Sequence, residues 1–285
     1  MHHIVIVGPT ASGKTALSLR LATLLNGEII CADSRTVYKG MDIGTAKPTA
    51  QDQALVKHHC IDLVYPNEPF TVADFVIAAK QAEQTIRHSS KTPITVGGSG
   101  LFIDGFIYDY SFVAPNPEVR KTYQSWSVTQ LQQEIIKRNI ALPVNSKNKR
   151  HLTLALERAN RPTPTKKALP KDTMIIGIAP EKDVLLGNIE QRANQMIQEG
   201  VLEEVSHMYK TYNTSPALLG GVYRTVQPYL RGEQSIDATL QSIITYDKKL
   251  AKRQLTWFKR NPDITWFTSP QEALEWFMNH KQGTL

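Results

Sequence analysis

The chain has 285 residues, of which 41% are hydrophobic and 21% are charged. These values are typical of globular proteins and exclude a globally disordered chain. No uncharged apolar run approaches the ~18 residues of a membrane span, no signal-peptide core follows the N-terminus, and Cys31 and Cys60 lack a metal-ligand spacing. We therefore expect a protein of a reducing cytoplasm, with no membrane partner and neither a disulfide framework nor a zinc site. We also expect a monomer.

The net charge of +7 is concentrated in one segment of the chain. Residues 1–114 carry 9 basic and 10 acidic side chains, and residues 169–285 carry 13 of each. Residues 115–168 carry 11 basic and 3 acidic side chains. Such a local excess indicates a polyanionic partner, although a solvated, charge-rich surface is equally compatible with the charge alone.

The first hundred residues alternate short apolar segments with amphipathic ones. Strands are predicted at 4–7, 28–32, 60–64 and 93–96, and helices at 14–25 and 72–87, the second capped by Thr71. This alternation is typical of βαβ units. It predicts an α/β fold with a parallel sheet flanked by helices.

The α/β pattern breaks at residue 115 and resumes after residue 168. The intervening segment contains helical stretches at about 117–139 and 148–160 and closes in a proline-rich run at 161–164. A strand at 174–178, helices at 183–198 and 236–259, and a strand at 264–267 follow. The sequence therefore predicts a core of residues 1–114 and 169–285, interrupted by a small, basic, helical insertion domain of residues 115–168.

A phosphate-binding loop is predicted directly after the first strand. Its residues are Gly8, Pro9, Thr10, Ala11, Ser12, Gly13, Lys14 and Thr15, which match GxxxxGK[ST] between a strand and a helix. The loop amides and the helix N-terminus favour a di- or triphosphate, Lys14 can bridge phosphate oxygens, and the Thr15 hydroxyl can hold Mg²⁺. The alternative is a fortuitous glycine turn. The motif leaves open which phosphate compound binds.

An acid and a hydroxyl follow two neighbouring predicted strands. Asp33 follows the second strand, whereas the strand at 93–96 ends in Gly97-Gly98-Ser99 without an acid. The carboxyl ends of parallel strands face one ligand crevice, so Asp33 and Ser99 should lie near the loop phosphates. Asp33 can then act as a general base toward a second substrate, or it can simply be a turn residue beside Ser34.

Several motifs resemble the tRNA dimethylallyltransferases, the tRNA isopentenyltransferase family. The most specific is VYKGMDIGTAKP at 37–48, and further matches lie at 33–34, 58–62, 70–75, 96–99 and 250–257. They follow the family's order over nearly the whole chain. The resemblance implies a P-loop NTPase-like fold. It also implies transfer of a dimethylallyl group from dimethylallyl diphosphate to N6 of the adenine at position 37, next to the anticodon of a tRNA.

The same resemblance implies roles for individual residues. Asp33 would be the general base, Ser99 would contact the reacting adenine, and Arg224 would hold the diphosphate. The tRNA-binding residues would be Asp33, Ser34, Arg35, Thr36, Ser99, Arg120 and Arg150. The basic insertion would then contact the anticodon stem-loop phosphates, with the target base flipped out of its stack.

Two other function classes remain compatible with parts of the sequence. A P-loop small-molecule kinase would share the loop, Mg²⁺ and a strand-end acid, but would not need the basic insertion. A non-catalytic RNA-binding module would keep a phosphate loop without using it.

Overall fold

The computed structural model describes residues 2–112, 117–159, 165–213 and 215–280. The chain divides into two compact units, a core unit of Met1–Tyr108 with Leu169–Leu285 and an insertion unit of Asp109–Ala168. The insertion unit begins earlier than the predicted residue 115. The Ser111 amide donates to the Thr165 carbonyl oxygen at 3.1 Å, and this bond joins the two ends of the unit.

The core unit contains a six-stranded, all-parallel sheet. Its strands are β1 (His3–Val7), β2 (Gly27–Cys31), β3 (His58–His59), β4 (Thr92–Gly97), β5 (Thr173–Ile178) and β6 (Ile264–Phe267), in the spatial order β3-β2-β4-β1-β5-β6. In the centre, Ile4 of β1 lies opposite Ile94 and Met174. β1 is fully buried, which suits its run of β-branched residues.

Helices surround this sheet and form the insertion unit. Those of the core unit are α1 (Lys14–Leu24), α2 (Ala50–Leu55), α3 (Val72–His88), α4 (Gly100–Ile107), α8 (Lys182–Gln198), α9 (Val201–Tyr212), α10 (Gly221–Leu230), α11 (Ile236–Phe258) and α12 (Pro270–His280). Those of the insertion unit are α5 (Pro117–Tyr123), α6 (Val128–Lys137) and α7 (Lys149–Arg158). The predicted α/β fold, with a parallel sheet flanked by helices, is confirmed.

Most local predictions are confirmed, with two corrections. The predicted strand at 60–64 is wrong. β3 lies at His58–His59, and Cys60 and Asp62 have φ angles of 62° and 51°, which a strand does not allow. The stretch at 117–139 is two helices, because Ser127 forms a capping box that starts α6. The predicted Thr71 cap is present as a capping box on α3.

Each unit has its own apolar core. In the core unit, α1 and α12 pack on the sheet through residues such as Leu17, Leu21 and Phe277, and a second cluster joins α8, α9, α10 and α11. The insertion unit is organised around a separate cluster, Tyr123, Leu131, Ile135, Leu152 and Leu156. Among the described residues, no helix combines the length and apolar character of a bilayer span.

Candidate active site

The phosphate loop connects β1 to α1 as the sequence predicts. Gly13 caps α1 with a φ of 85°, a left-handed conformation that glycine adopts without strain. A Cβ atom at Gly13 would also lie 2.6 Å from the Pro270 side chain. Position 13 is thus restricted to glycine by both backbone conformation and space, and the amides of the first turn of α1 remain available for an anion.

Lys14 lies folded against its own loop. Its Nζ donates to the Pro9 carbonyl oxygen and lies 3.4 Å from Ser12 Oγ. The pKa of Lys14 is lowered to about 7, mainly by burial and also by the positive charge of Arg192, while the Asp33 carboxylate acts in the opposite direction. A bound anion would favour the protonated ammonium at this position.

Three side chains from helices that are distant in sequence form hydrogen bonds with Thr10 and Ala11 of the phosphate loop. Gln254 of α11 accepts from the Thr10 amide at 2.8 Å and donates to the Gly98 carbonyl oxygen at 3.1 Å. On α8, Asn188 donates to the Ala11 carbonyl oxygen at 3.1 Å. Arg192, also on α8, donates through Nη1 to the Thr10 hydroxyl. Sequence reasoning missed Asn188 and Arg192, and it found Gln254 only as part of a motif.

The turn that begins at Asp33, after β2, contacts Ser99, which follows β4, as expected for the carboxyl ends of neighbouring parallel strands. Ser99 Oγ accepts from the Ser34 amide at 3.0 Å and lies 3.3 Å from Ser34 Oγ. Asp33 Oδ1 accepts from the Arg35 amide at 2.8 Å. The carboxylate therefore makes the predicted turn contact while the same residue lines the cavity described below.

The segment 41–48 is held by two charged side chains, those of Glu204 and Lys47. Glu204 of α9 accepts from the amides of Asp42, Ile43 and Gly44 at 2.7–3.0 Å and from the Tyr223 hydroxyl at 2.5 Å. Burial and the Glu204 carboxylate raise the pKa of Tyr223, so the phenol stays protonated and donates.

The side chain of Lys47 provides the second contact in this segment. It is 3% exposed, and its Nζ reaches the Tyr38 carbonyl oxygen and the carboxylates of Asp42 and Asp62. The most family-specific stretch of the sequence thus has a well-defined conformation.

A cavity of about 300 Å³ lies between these elements. Its wall includes residues 10–15 of the phosphate loop and α1, the ends of β2 and β4, and residues 44–46 and 48. The charged side chains on the wall are Lys14, Asp33, Arg35, Arg192 and Asp247. Such a pocket can hold a small anion beside a carboxylate that can accept a proton.

Residues 36–261 of the chain match the family model described as IPP transferase. The chain belongs to this family. It is 36% identical to the tRNA dimethylallyltransferase of Bacillus pumilus (strain SAFR-032), in a match that covers 93% of this chain and 88% of that protein.

The chain is also similar in fold to solved structures. The full-length tRNA isopentenylpyrophosphate transferase of Bacillus halodurans is 32% identical, with a TM-score of 0.74 and coverage of 99% of this chain and 95% of that one. A eukaryotic dimethylallyltransferase acting on tRNA, 22% identical, has the same fold, with a TM-score of 0.80 and coverage of 99% and 77%.

The structure brings only some of the residues predicted from the family resemblance to the cavity. Asp33, Arg35, Thr36 and residues 10–15 line it, whereas Gly8 and Pro9 form the base of the loop, and Ser34 and Ser99 lie beside the wall. Arg224 is not among the residues that line this cavity, and its contact with the diphosphate stays a prediction. It is exposed on α10 because the neighbouring Val222 and Tyr223 turn the buried face of that helix inward.

The two predicted tRNA-binding arginines of the insertion unit differ in their surroundings. Arg150 is exposed at the start of α7, and its amide donates to the side-chain oxygen of Asn148, the N-cap of that helix. Arg120 forms an ion pair with Glu157, 3.0 Å from Nε to Oε2, and the Glu157 side chain is 4% exposed. Arg120 therefore also has a structural role within the insertion unit.

No group of three or more His, Cys, Asp or Glu side chains within the described ranges could hold a metal ion. Mg²⁺ commonly keeps several waters and binds through one or two protein ligands together with substrate phosphates. The Thr15 hydroxyl, at the cavity wall beside the phosphate loop, fits that mode of binding. Magnesium at Thr15 is therefore compatible with the residues present.

Proposed function

We propose that this chain transfers a dimethylallyl group from dimethylallyl diphosphate to N6 of the adenine at position 37, next to the anticodon of a tRNA. The observation that carries this proposal is the position of Asp33, on the wall of the same cavity as Lys14 and the phosphate loop. The family membership and the names of the relatives support it, and they favour a transferase over a small-molecule kinase.

The phosphate loop is proposed to bind the diphosphate. The amides at the N-terminus of α1 and the Lys14 ammonium would stabilise the negative charge that develops as the leaving group departs. Mg²⁺, held by the Thr15 hydroxyl, would neutralise further charge on the diphosphate oxygens. Apolar wall residues, including Ala46, Pro48, Val96 and Leu250, suit the prenyl chain.

Asp33 is proposed to be the general base. The bond between C1 of the dimethylallyl group and the diphosphate oxygen breaks, and its electron pair leaves with the diphosphate. A bond from adenine N6 to C1 forms, and the N6 proton moves to the Asp33 carboxylate. The exocyclic amine is a weak nucleophile because its lone pair is delocalised into the ring, so proton removal during bond formation lowers the barrier.

The turn at 33–36 and Ser99 are proposed to contact the flipped adenine and its neighbours. Ser34 is exposed, and its amide and hydroxyl lie beside Ser99 Oγ. Arg35 and Thr36 line the cavity. These side chains would hold the unpaired base and the adjacent RNA at the cavity.

The substitution Asp33→Asn tests the general base separately from the turn. An Asn side chain keeps an oxygen that can accept from the Arg35 amide, so the turn is preserved while the carboxylate is lost. With purified tRNA and dimethylallyl diphosphate, we expect transfer, measured as the mass gain of one C5 unit in the tRNA, to fall about 10²- to 10⁴-fold. The affinity for tRNA should change little.

Asp183→Asn is the matched control, because Asp183 is exposed on α8. Transfer by the Asp33 variant at the rate of this control would contradict the proposed base. ATP-dependent phosphorylation of a metabolite, without any gain of mass in tRNA, would establish the kinase instead. Binding of tRNA by the wild type, with neither a gain of mass in the tRNA nor phosphorylation of a metabolite, would establish the non-catalytic RNA-binding module.

The insertion unit is proposed to bind the anticodon stem-loop. Lys147, Lys149 and Arg150 are exposed together at the N-terminal end of α7, within the segment that carries the basic excess. Replacing all three with Gln should weaken tRNA binding and reduce the slope of log K against log salt by about 2. The same change at Lys57 and Lys182 of the core unit is the control. An unchanged salt slope would exclude this surface.

A further inference from the structure

Arg192 and Asp247 form a pair on the cavity wall that the proposed mechanism does not use. Arg192 projects from α8, and its Nη1 donates to the Thr10 hydroxyl of the phosphate loop. Asp247 projects from α11, and its side chain is 1% exposed. Arg192 Nε and Asp247 Oδ2 lie 3.9 Å apart, which is too far for a hydrogen bond. Both residues line the cavity.

Two atoms of this pair are buried without a hydrogen-bond partner. They are Arg192 Nε and Asp247 Oδ2, within the part of the chain that the structure describes. Unpaired buried polar atoms are rare in folded proteins, and each costs free energy. A donor and an acceptor that both lack partners on the wall of one cavity indicate that a bound ligand, or water that accompanies it, forms hydrogen bonds with them.

The charges on the wall indicate which kind of ligand this is. Lys14 lies against Pro9 and Ser12, and Arg192 lies against Thr10, so two cations contact the same short loop. With Arg35, the wall carries three cations and two carboxylates. Cations that converge on an anion-binding loop repel one another until an anion lies between them.

Asp247 would by itself repel such an anion, and therefore its position needs another explanation. A carboxylate beside a guanidinium restricts where the guanidinium lies, and the planar donor fork of arginine suits phosphate oxygens. Asp247 is close enough to Arg192 to act on it electrostatically, and Arg192 in turn opposes the rise that burial causes in the pKa of Asp247.

We propose that Arg192 is a second cationic contact for the leaving diphosphate, and that Asp247 is a positioning residue that holds its guanidinium at the phosphate loop. This inference rests on the proposed function. As the bond between C1 and oxygen breaks and the electron pair moves onto the diphosphate, the Arg192 guanidinium would stabilise the added negative charge while Asp33 takes the N6 proton.

The test measures binding of inorganic diphosphate with Mg²⁺ by calorimetry, and prenyl transfer in parallel. For Arg192→Gln we expect the Kd of diphosphate to rise about 10- to 100-fold, with partial rescue by Arg192→Lys. Lys182→Gln, the same charge change at an exposed position of α8, should leave the Kd unchanged. Circular dichroism and the Tm of each variant verify that it is folded.

Asp247→Asn distinguishes positioning from simple electrostatics. If Asp247 positions Arg192, this isosteric variant should bind diphosphate about 3- to 10-fold more weakly. It should also raise the KM for dimethylallyl diphosphate but not for tRNA, and the Arg192→Gln/Asp247→Asn double variant should be no weaker than Arg192→Gln alone. Asp237→Asn, in the first turn of α11, is the control. Tighter binding by Asp247→Asn would overturn its role as a positioning residue.

The two proposals fail in different ways. Diphosphate binding by Arg192→Gln within twofold of the Lys182→Gln control would overturn the role of Arg192, even if the wild type transfers a prenyl group. Diphosphate binding that depends on Arg192, in a protein that modifies no tRNA, would support the anion contact and contradict the proposed function.

Discussion

Removing the Glu204 carboxylate should release the segment 41–48 from the rest of the core unit. Oε2 accepts from the amides of Asp42 and Ile43 at 3.0 and 2.7 Å, and Oε1 accepts from the Gly44 amide at 2.9 Å and the Tyr223 hydroxyl at 2.5 Å. A hydrogen bond to a charged group contributes about 1.5–3 kcal/mol. The contributions of these four hydrogen bonds do not add fully, because water can replace Glu204 as the acceptor for the amide of the exposed residue Asp42.

The largest loss is expected at Gly44 and Tyr223, which are both buried. For Glu204→Ala we expect a decrease of about 3–5 kcal/mol in the free energy of unfolding, because a buried amide and a buried hydroxyl lose their acceptor. Glu204→Gln keeps one accepting oxygen and should cost about 1–3 kcal/mol. The wild type, Glu204→Gln and Glu204→Ala should therefore unfold in that order of decreasing stability.

Urea unfolding followed by circular dichroism measures these differences. Glu203→Ala is the matched control, because Glu203 occupies the same first turn of α9 but is exposed, and it should lie within about 0.5 kcal/mol of the wild type. Equal stability of Glu204→Ala and Glu203→Ala would refute the reasoning, since it would mean that the four contacts contribute no net free energy.

The remaining predictions concern two buried basic side chains, those of His3 and Lys47. Burial lowers the pKa of His3 to about 4. The unfolded state therefore takes up a proton that the folded state excludes as pH falls from about 6.5 to 4, and about 3 kcal/mol of stability is lost in that window. In His3→Leu this part of the pH dependence, measured by urea unfolding at each pH, should disappear; an unchanged pH profile would contradict it. Lys47→Met should cost about 1–3 kcal/mol, because it leaves the carboxylates of Asp42 and Asp62 facing each other without their cation, while their partial exposure limits the loss. Lys57→Met, at an exposed position, is the control, and equal unfolding midpoints in the two variants would refute this estimate.

Elements whose causes are local can be predicted from the amino-acid sequence. The phosphate loop needs only a strand, a glycine-containing octapeptide and a helix start, and the structure has all three in place. Thr71 could be predicted as the N-cap of α3 because it directly precedes the helical pattern, and the structure adds the reciprocal contact with Asp74. The neighbouring positions of Asp33 and Ser99 could also be predicted, since strands of one parallel sheet share a carboxyl edge.

Predictions were less accurate where long-range contacts override local pattern. The apolar run at 60–64 favours a strand, but left-handed residues and the contacts of Lys47 with Asp62 and Tyr38 give it an irregular path.

The residues that complete the cavity are brought together by tertiary packing. Arg192, Asp247 and Gln254 are far from the phosphate loop in sequence, yet each lines the same cavity, and Arg192 and Gln254 contact Thr10. Their convergence depends on how α8 and α11 pack on the core unit. The motif thus predicts phosphate binding, whereas the packing of two distant helices determines which charges surround the loop. Electrostatic interactions depend on distance in space and not on separation along the chain.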